Sequence, residues 1–145
     1  MTISAFPYFT AATTVFVAIF QMMLLLFVAR GRGRFQTGLG DGGHPGLLKR
    51  IRMHGNLAEN APLFLILLGL TELSGQWAAL VPWFAAAFIV VRLSHALGLL
   101  ISPNRTVFRL TGVLGTVALI LGLAALLAIT LTNDTHWLAA LPRAG

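Results

Sequence analysis

Four long apolar runs divide this chain into segments that water cannot host. They extend from Tyr8 to Ala29, from about Leu57 to Leu73, from Trp77 to Ile101, and from Val107 to Thr132. A helix of about 20 mostly apolar residues crosses the hydrocarbon core of a bilayer. Four such runs, joined by one long and two short connections, predict an all-α fold: an integral membrane antiparallel four-helix bundle. Residues 1–145 form one four-span domain in this reading, with spans at 8–29, 57–73, 77–101 and 107–132. Charged residues make up only 10 % of the chain and hydrophobic ones 57 %. Soluble domains carry about a quarter charged residues, so a soluble enzyme, a disordered tail and a nucleic-acid module are all excluded. There is no cysteine, hence no disulfide framework, thiolate metal site or cysteine nucleophile, and the reading invokes no metal.

The net charge of +6 follows topology. Six basic residues (Arg30, Arg32, Arg34, Lys49, Arg50 and Arg52) lie in the first connection, and Arg105 and Arg109 follow the third span. The opposite side carries Glu72, Asp134 and Arg143. By the positive-inside rule both termini face away from the cytoplasm. Short loops without a retention signal point to a bacterial inner membrane. The first span is too long for a cleavable signal's apolar core, and Trp77, Trp83 and Trp137 stand near span ends, where amphipathic rings favour the interface. The connection from Arg30 to Gly46 is glycine-rich and expected to be mobile. Its G-x-G-x-x-G at Gly38, Gly40 and Gly43 follows a membrane helix rather than a strand, so it is read as chance. On the fourth span Thr111, Gly115, Ala118, Gly122 and Ala125 recur every three or four residues, a small-residue packing face.

Ionisable groups inside a membrane cost about 2.5–3.5 kcal/mol each on insertion scales and mark function. Arg52, Asn56 and Glu59 stand at i, i+4 and i+7, on one stripe of the second helix. Arg92 and His95 share a face of the third helix, and Arg105 and Arg109 lie one turn apart at the start of the fourth. Counted from the outer ends of their spans, Glu59 and Arg92 each lie about 21–23 Å deep. A buried Glu59–Arg92 ion pair would explain those two residues alone. The whole cluster is cationic with one carboxylate, and suits a small, mostly anionic ligand that also carries an amine.

The stretch Arg52-Met-His-Gly-Asn56-Leu-Ala-Glu59-Asn-Ala-Pro62 resembles the second helix of the MAPEG superfamily, the membrane-associated proteins of eicosanoid and glutathione metabolism. The spacing R-x-x-x-N-x-x-E before a proline is the same. The resemblance implies a homotrimer that binds glutathione between neighbouring subunits near the cytoplasmic face. Arg52, Asn56 and Glu59 would correspond to the glutathione-contacting motif. Arg92 and His95 look like the R-x-x-H of the prostaglandin E synthase branch. Pro103-Asn-Arg105-Thr106 is similar to that branch's P-x-R-S, which implies for Arg105 the catalytic role of stabilising the glutathione thiolate. Related enzymes place a tyrosine one turn beyond the histidine, where this chain has Leu99.

These residues imply a glutathione-dependent transferase, peroxidase or isomerase that takes a hydrophobic small molecule from the membrane lipids. Arg52 and Arg109 would hold carboxylates and Glu59 the amine, with His95 as acid, base or structural polar group. Two alternatives stand beside it. One is a non-catalytic glutathione- or lipid-binding protein of the same fold, favoured by the missing tyrosine. The other is a small four-span transporter using Glu59, although such exporters carry that carboxylate in the first helix.

Overall fold

A computed structural model describes residues 6–101 and 106–133. It contains α1 (Tyr8–Arg34), α2 (Pro45–Ser74), α3 (Val81–Ile101) and α4 (Val107–Asn133). All four are long and apolar enough to cross a membrane, which makes this an all-α four-helix membrane protein. α2 and α3 form the middle of the bundle. Among the described residues α1 packs on α2 and α3, α4 packs on the same two helices, and α1 and α4 do not meet.

Helix bounds differ from the apolar runs where polar residues continue a helix past the hydrocarbon. α1 carries on through Arg30, Arg32 and Arg34. α2 starts twelve residues before Leu57, at Pro45, whose fixed φ and missing N–H suit a first turn. The connection between them therefore shrinks to residues 35–44. Conversely α3 begins at Val81 rather than Trp77, because residues 77–80 form a turn in which Leu80 N–H donates to the Trp77 carbonyl at 2.8 Å. At α4, Thr106 Oγ1 accepts from Arg109 N–H at 3.2 Å, capping the first turn.

Polar fasteners set the helices against one another at both ends. Pro7 precedes α1 without a side-chain cap of its own, and Glu72 of α2 supplies one from across the interface. Its carboxylate accepts from Phe9 N–H at 2.9 Å, Thr10 N–H at 2.8 Å and the Thr10 hydroxyl at 2.7 Å. A carboxylate there meets both the unpaired amides and the positive end of the helix dipole. At the other end Arg50 donates to the Phe27 carbonyl at 3.0 Å, its guanidinium 4.0 Å above the Phe27 ring. Trp77 Nε1 donates to Thr130 Oγ1 at 2.9 Å, closing α3's lead-in onto α4.

The core lies between these fasteners. Phe64 and Phe88, both fully buried, stack with centroids 3.8 Å apart, among Leu57, Leu68 and Leu123. α3 and α4 touch backbone to backbone at two glycines. A Cβ added at Gly98 would stand 2.6 Å from the Arg109 nitrogen, and one at Gly112 would stand 2.7 Å from the His95 Cα. The small-residue stripe lies at the edge of this contact. Gly115 faces Val91 and Gly122 faces Phe84, whereas Thr111, Ala118 and Ala125 are exposed. Large side chains such as Ile66, Val90, Leu114 and Leu121 point outward, as a lipid-facing surface requires.

Candidate functional site

A cleft of about 650 Å³ opens at the end of the bundle where the first connection lies. Three helices and that connection build it. α2 contributes Arg52, Asn56 and Glu59, α3 His95 and Leu99, α4 Arg109, and the connection Gly40 and Asp41. The helical spacing of Arg52, Asn56 and Glu59 thus carries through to one wall. The glycine contacts decide the opposite wall: with no side chain at Gly98 or Gly112, α3 and α4 close together and bring His95 and Arg109 to the same cavity. Arg105 lies outside the described residues, as does Trp137.

Arg92 is not part of the cleft surface. It is 3 % exposed and points into the bundle behind the cleft. Its Nη1 donates to Asn56 Oδ1 at 2.7 Å, and its Nη2 to the Gly112 carbonyl at 3.1 Å and to the Thr116 hydroxyl. Thr116 in turn donates to the Gly112 carbonyl at 2.7 Å. Among the described residues Arg92 Nε is buried without a partner. Since arginine only donates, the Asn56 amide oxygen turns to meet it and the amide NH₂ is left for the cleft. Arg92 therefore orients Asn56.

The Glu59–Arg92 ion pair does not form. Stacking of Phe64 on Phe88 puts Glu59, five residues before the one, and Arg92, four after the other, at nearly the same level, as the depth estimate required. Their faces differ: Arg92 points inward, and Glu59 is exposed on the outside of the chain. Among the described residues Glu59 has no hydrogen bond or ion pair.

Sequence reasoning missed Asp41 and Thr116. Asp41 is the sole carboxylate in the basic first connection, a signal obscured by the glycine fingerprint around it. Thr116 carried no signal, because threonines are ordinary in membrane helices. With Arg92 withdrawn and Asp41 added, the described lining holds two arginines, two carboxylates and a histidine. Among the described residues it is balanced in charge, while the expected cationic cluster also counts Arg105, which lies outside them. Leu99 is 4 % exposed and forms part of the same wall.

Comparison with known proteins agrees with this architecture. The model of the MAPEG family matches residues 10–141, a stretch that includes nearly all of the four helices. Inner membrane protein YecN of Escherichia coli, from strain K12 and from strain O6:H1, is 30 % identical over 89 residues, which cover 61 % of this chain and 68 % of the relative. No solved structure matches. With the family match running from α1 to beyond α4, and the R-x-x-x-N-x-x-E stripe on the wall of its polar cleft, this chain belongs to the MAPEG family.

Proposed function

We propose that the protein is an inner-membrane glutathione transferase that activates bound glutathione as its thiolate for attack on a lipophilic electrophile. The observation that carries this reading is the cleft itself. It gathers Arg52, Asn56, Glu59, His95 and Arg109 beside helices whose outer faces are apolar. Its volume, about 650 Å³, falls in the range of small-molecule sites. Arg52 and Arg109 hold the tripeptide's carboxylates, Glu59 its ammonium, and Asn56 donates from the NH₂ that Arg92 leaves free. Arg92 backs the site as a positioning residue.

A free thiol with a pKa of about 8.5 is mostly protonated at neutral pH, and nearby cations favour the thiolate. Arg109 on the first turn of α4, with Arg105 two residues before that helix, supplies positive charge, reinforced by the helix dipole. The thiol proton leaves to water. The sulfur lone pair then forms a carbon–sulfur bond to an electrophile entering from the lipid, and the electrophile's leaving group departs with the bonding pair.

Arg52 and Glu59 are exposed on the single chain, which supports a homotrimer in which a neighbouring copy covers them and closes the cleft. A second reading, binding without turnover, is favoured by Leu99, which offers no phenol to the cleft. Calorimetric titration of glutathione into detergent-purified protein tests both, run beside folded Arg52→Ala and Glu59→Gln variants. Turnover of 1-chloro-2,4-dinitrobenzene then separates them. Binding lost in both variants, with turnover in the wild type, supports the transferase. Binding without turnover of this or other electrophiles favours the second reading, and no binding by well-folded wild type overturns both.

A further inference from the structure

The connection between α1 and α2 is a built element rather than slack chain. It bends through four left-handed residues, with φ of +49° at Gln36, +65° at Gly40, +57° at Gly42 and +75° at Gly43. Arg32, from the last turn of α1, ties it down by donating to the carbonyls of Gly38 at 2.9 Å, Gly40 at 3.1 Å and Thr37 at 3.4 Å. A Cβ at Gly42 would stand 2.7 Å from Thr37 Oγ1, so the turn is closed against its own base.

The result of this bracing is the position of one carboxylate. Asp41 accepts from Gly43 N–H through Oδ1 at 3.2 Å, and its backbone carbonyl accepts from His44 N–H at 2.9 Å. Its other carboxylate oxygen makes no hydrogen bond among the described residues, and no lysine, arginine or histidine there pairs with it. This half-buried carboxylate lines the same cleft as Glu59, Arg52 and Arg109. Two carboxylates and two guanidinium groups in one cavity match a zwitterion, whereas a purely anionic ligand would leave both acids unanswered.

Resting on the reading of this cleft as a glutathione site, we propose that Asp41 is a specificity-determining residue. Held over the cleft by the Arg32-braced turn, it acts with Glu59 to recognise the ligand's ammonium group and selects amino-acid-like thiols over deaminated ones. Ammonium–carboxylate hydrogen bonds are charge-assisted and stronger than neutral ones. A ligand lacking the amine leaves both acids without a cationic partner from the ligand.

The test compares glutathione with its deaminated analogue, glutaryl-cysteinylglycine, titrated into wild type and Asp41→Asn. Asparagine keeps an oxygen for the Gly43 N–H and removes only the charge, so the turn survives, and thermal unfolding checks that it does. Wild type is expected to prefer glutathione by about tenfold, Asp41 and Glu59 each contributing about threefold, the net scale of a single hydrogen bond. In Asp41→Asn the preference should shrink to about threefold or less, with Glu59 left as the single acid. The gap closes from both sides, because removing a negative charge also favours the more anionic analogue. An undiminished preference in the variant, or equal binding of both thiols by wild type, overturns the role of Asp41 and leaves the glutathione reading standing. Failure of wild type to bind glutathione overturns both.

Discussion

At the scale of single residues, the Arg92 guanidinium fixes how one side chain of the cleft, Asn56, is turned. Membrane-embedded charge is costly unless its donors are satisfied, and Arg92 finds neutral acceptors on two other helices: Asn56, the Gly112 carbonyl and Thr116. The hydroxyl of Thr116 is the most separable part. It reaches no cleft residue except through Arg92. Thr116→Val is nearly isosteric and leaves Nη2 with the Gly112 carbonyl alone. A buried donor short of an acceptor costs about 1–3 kcal/mol. The variant should therefore unfold at a lower temperature in detergent, and glutathione affinity should fall as Asn56 loses its fixed orientation. Unchanged thermal unfolding would show that the Arg92 network contributes little stability. The sequence marked Arg92 as an intramembrane ionisable residue, but not its partners. Depth follows from counting residues along a helix. Which way a side chain points depends on helix rotation, and that is settled only by packing such as Phe64 on Phe88.

Between elements, glycine contacts and long-range caps do what local propensity cannot. The spans were legible because apolar runs of this length have one use. Their polar ends were not, since hydropathy stops at the edge of the hydrocarbon while the hydrogen-bond ladder continues through Arg34 and back to Pro45. The close contact of α3 and α4 was half legible: Gly115, on the expected stripe, is tight against the Val91 side chain, but the glycines that meet the opposite backbone are Gly98 and Gly112, off that stripe. Gly112→Ala should be severely destabilising, because the new methyl meets the His95 backbone and Cβ at 2.5–2.8 Å. The matched control is Gly33→Ala, where nothing lies within 4 Å and the gain in helix propensity, about 1 kcal/mol, makes the change neutral or mildly stabilising. Equal folded yields of the two variants would contradict the backbone contact. Glu72→Ala probes the cross-helix cap in the same way. Loss of three hydrogen bonds at the N-terminus of α1 should cost about 1–2 kcal/mol, the scale of a deleted cap, read as a lowered thermal midpoint.

For the whole molecule, the asymmetry of charge along the bundle ties the site to one side of the membrane. The braced turn, the basic end of α1 and the start of α2 all lie at the cleft end, while Glu72 caps α1 at the other. If positive charge stays with the cytoplasm, the cleft opens to the cytosolic thiol pool, as the transferase proposed above requires, with its electrophile entering sideways through the lipid. The absence of native cysteine makes this testable with single reporters. Leu39→Cys places a thiol at a position that is 90 % exposed, in the connection between α1 and α2. Gln76→Cys places one in the exposed turn between α2 and α3. A membrane-impermeant maleimide applied to spheroplasts should label Gln76→Cys readily and Leu39→Cys only after the membrane is opened, and inverted vesicles should give the reverse. The opposite pattern would place the cleft outside the cytoplasm, away from the cytosolic thiol pool, and so remove the supply on which the transferase reading depends.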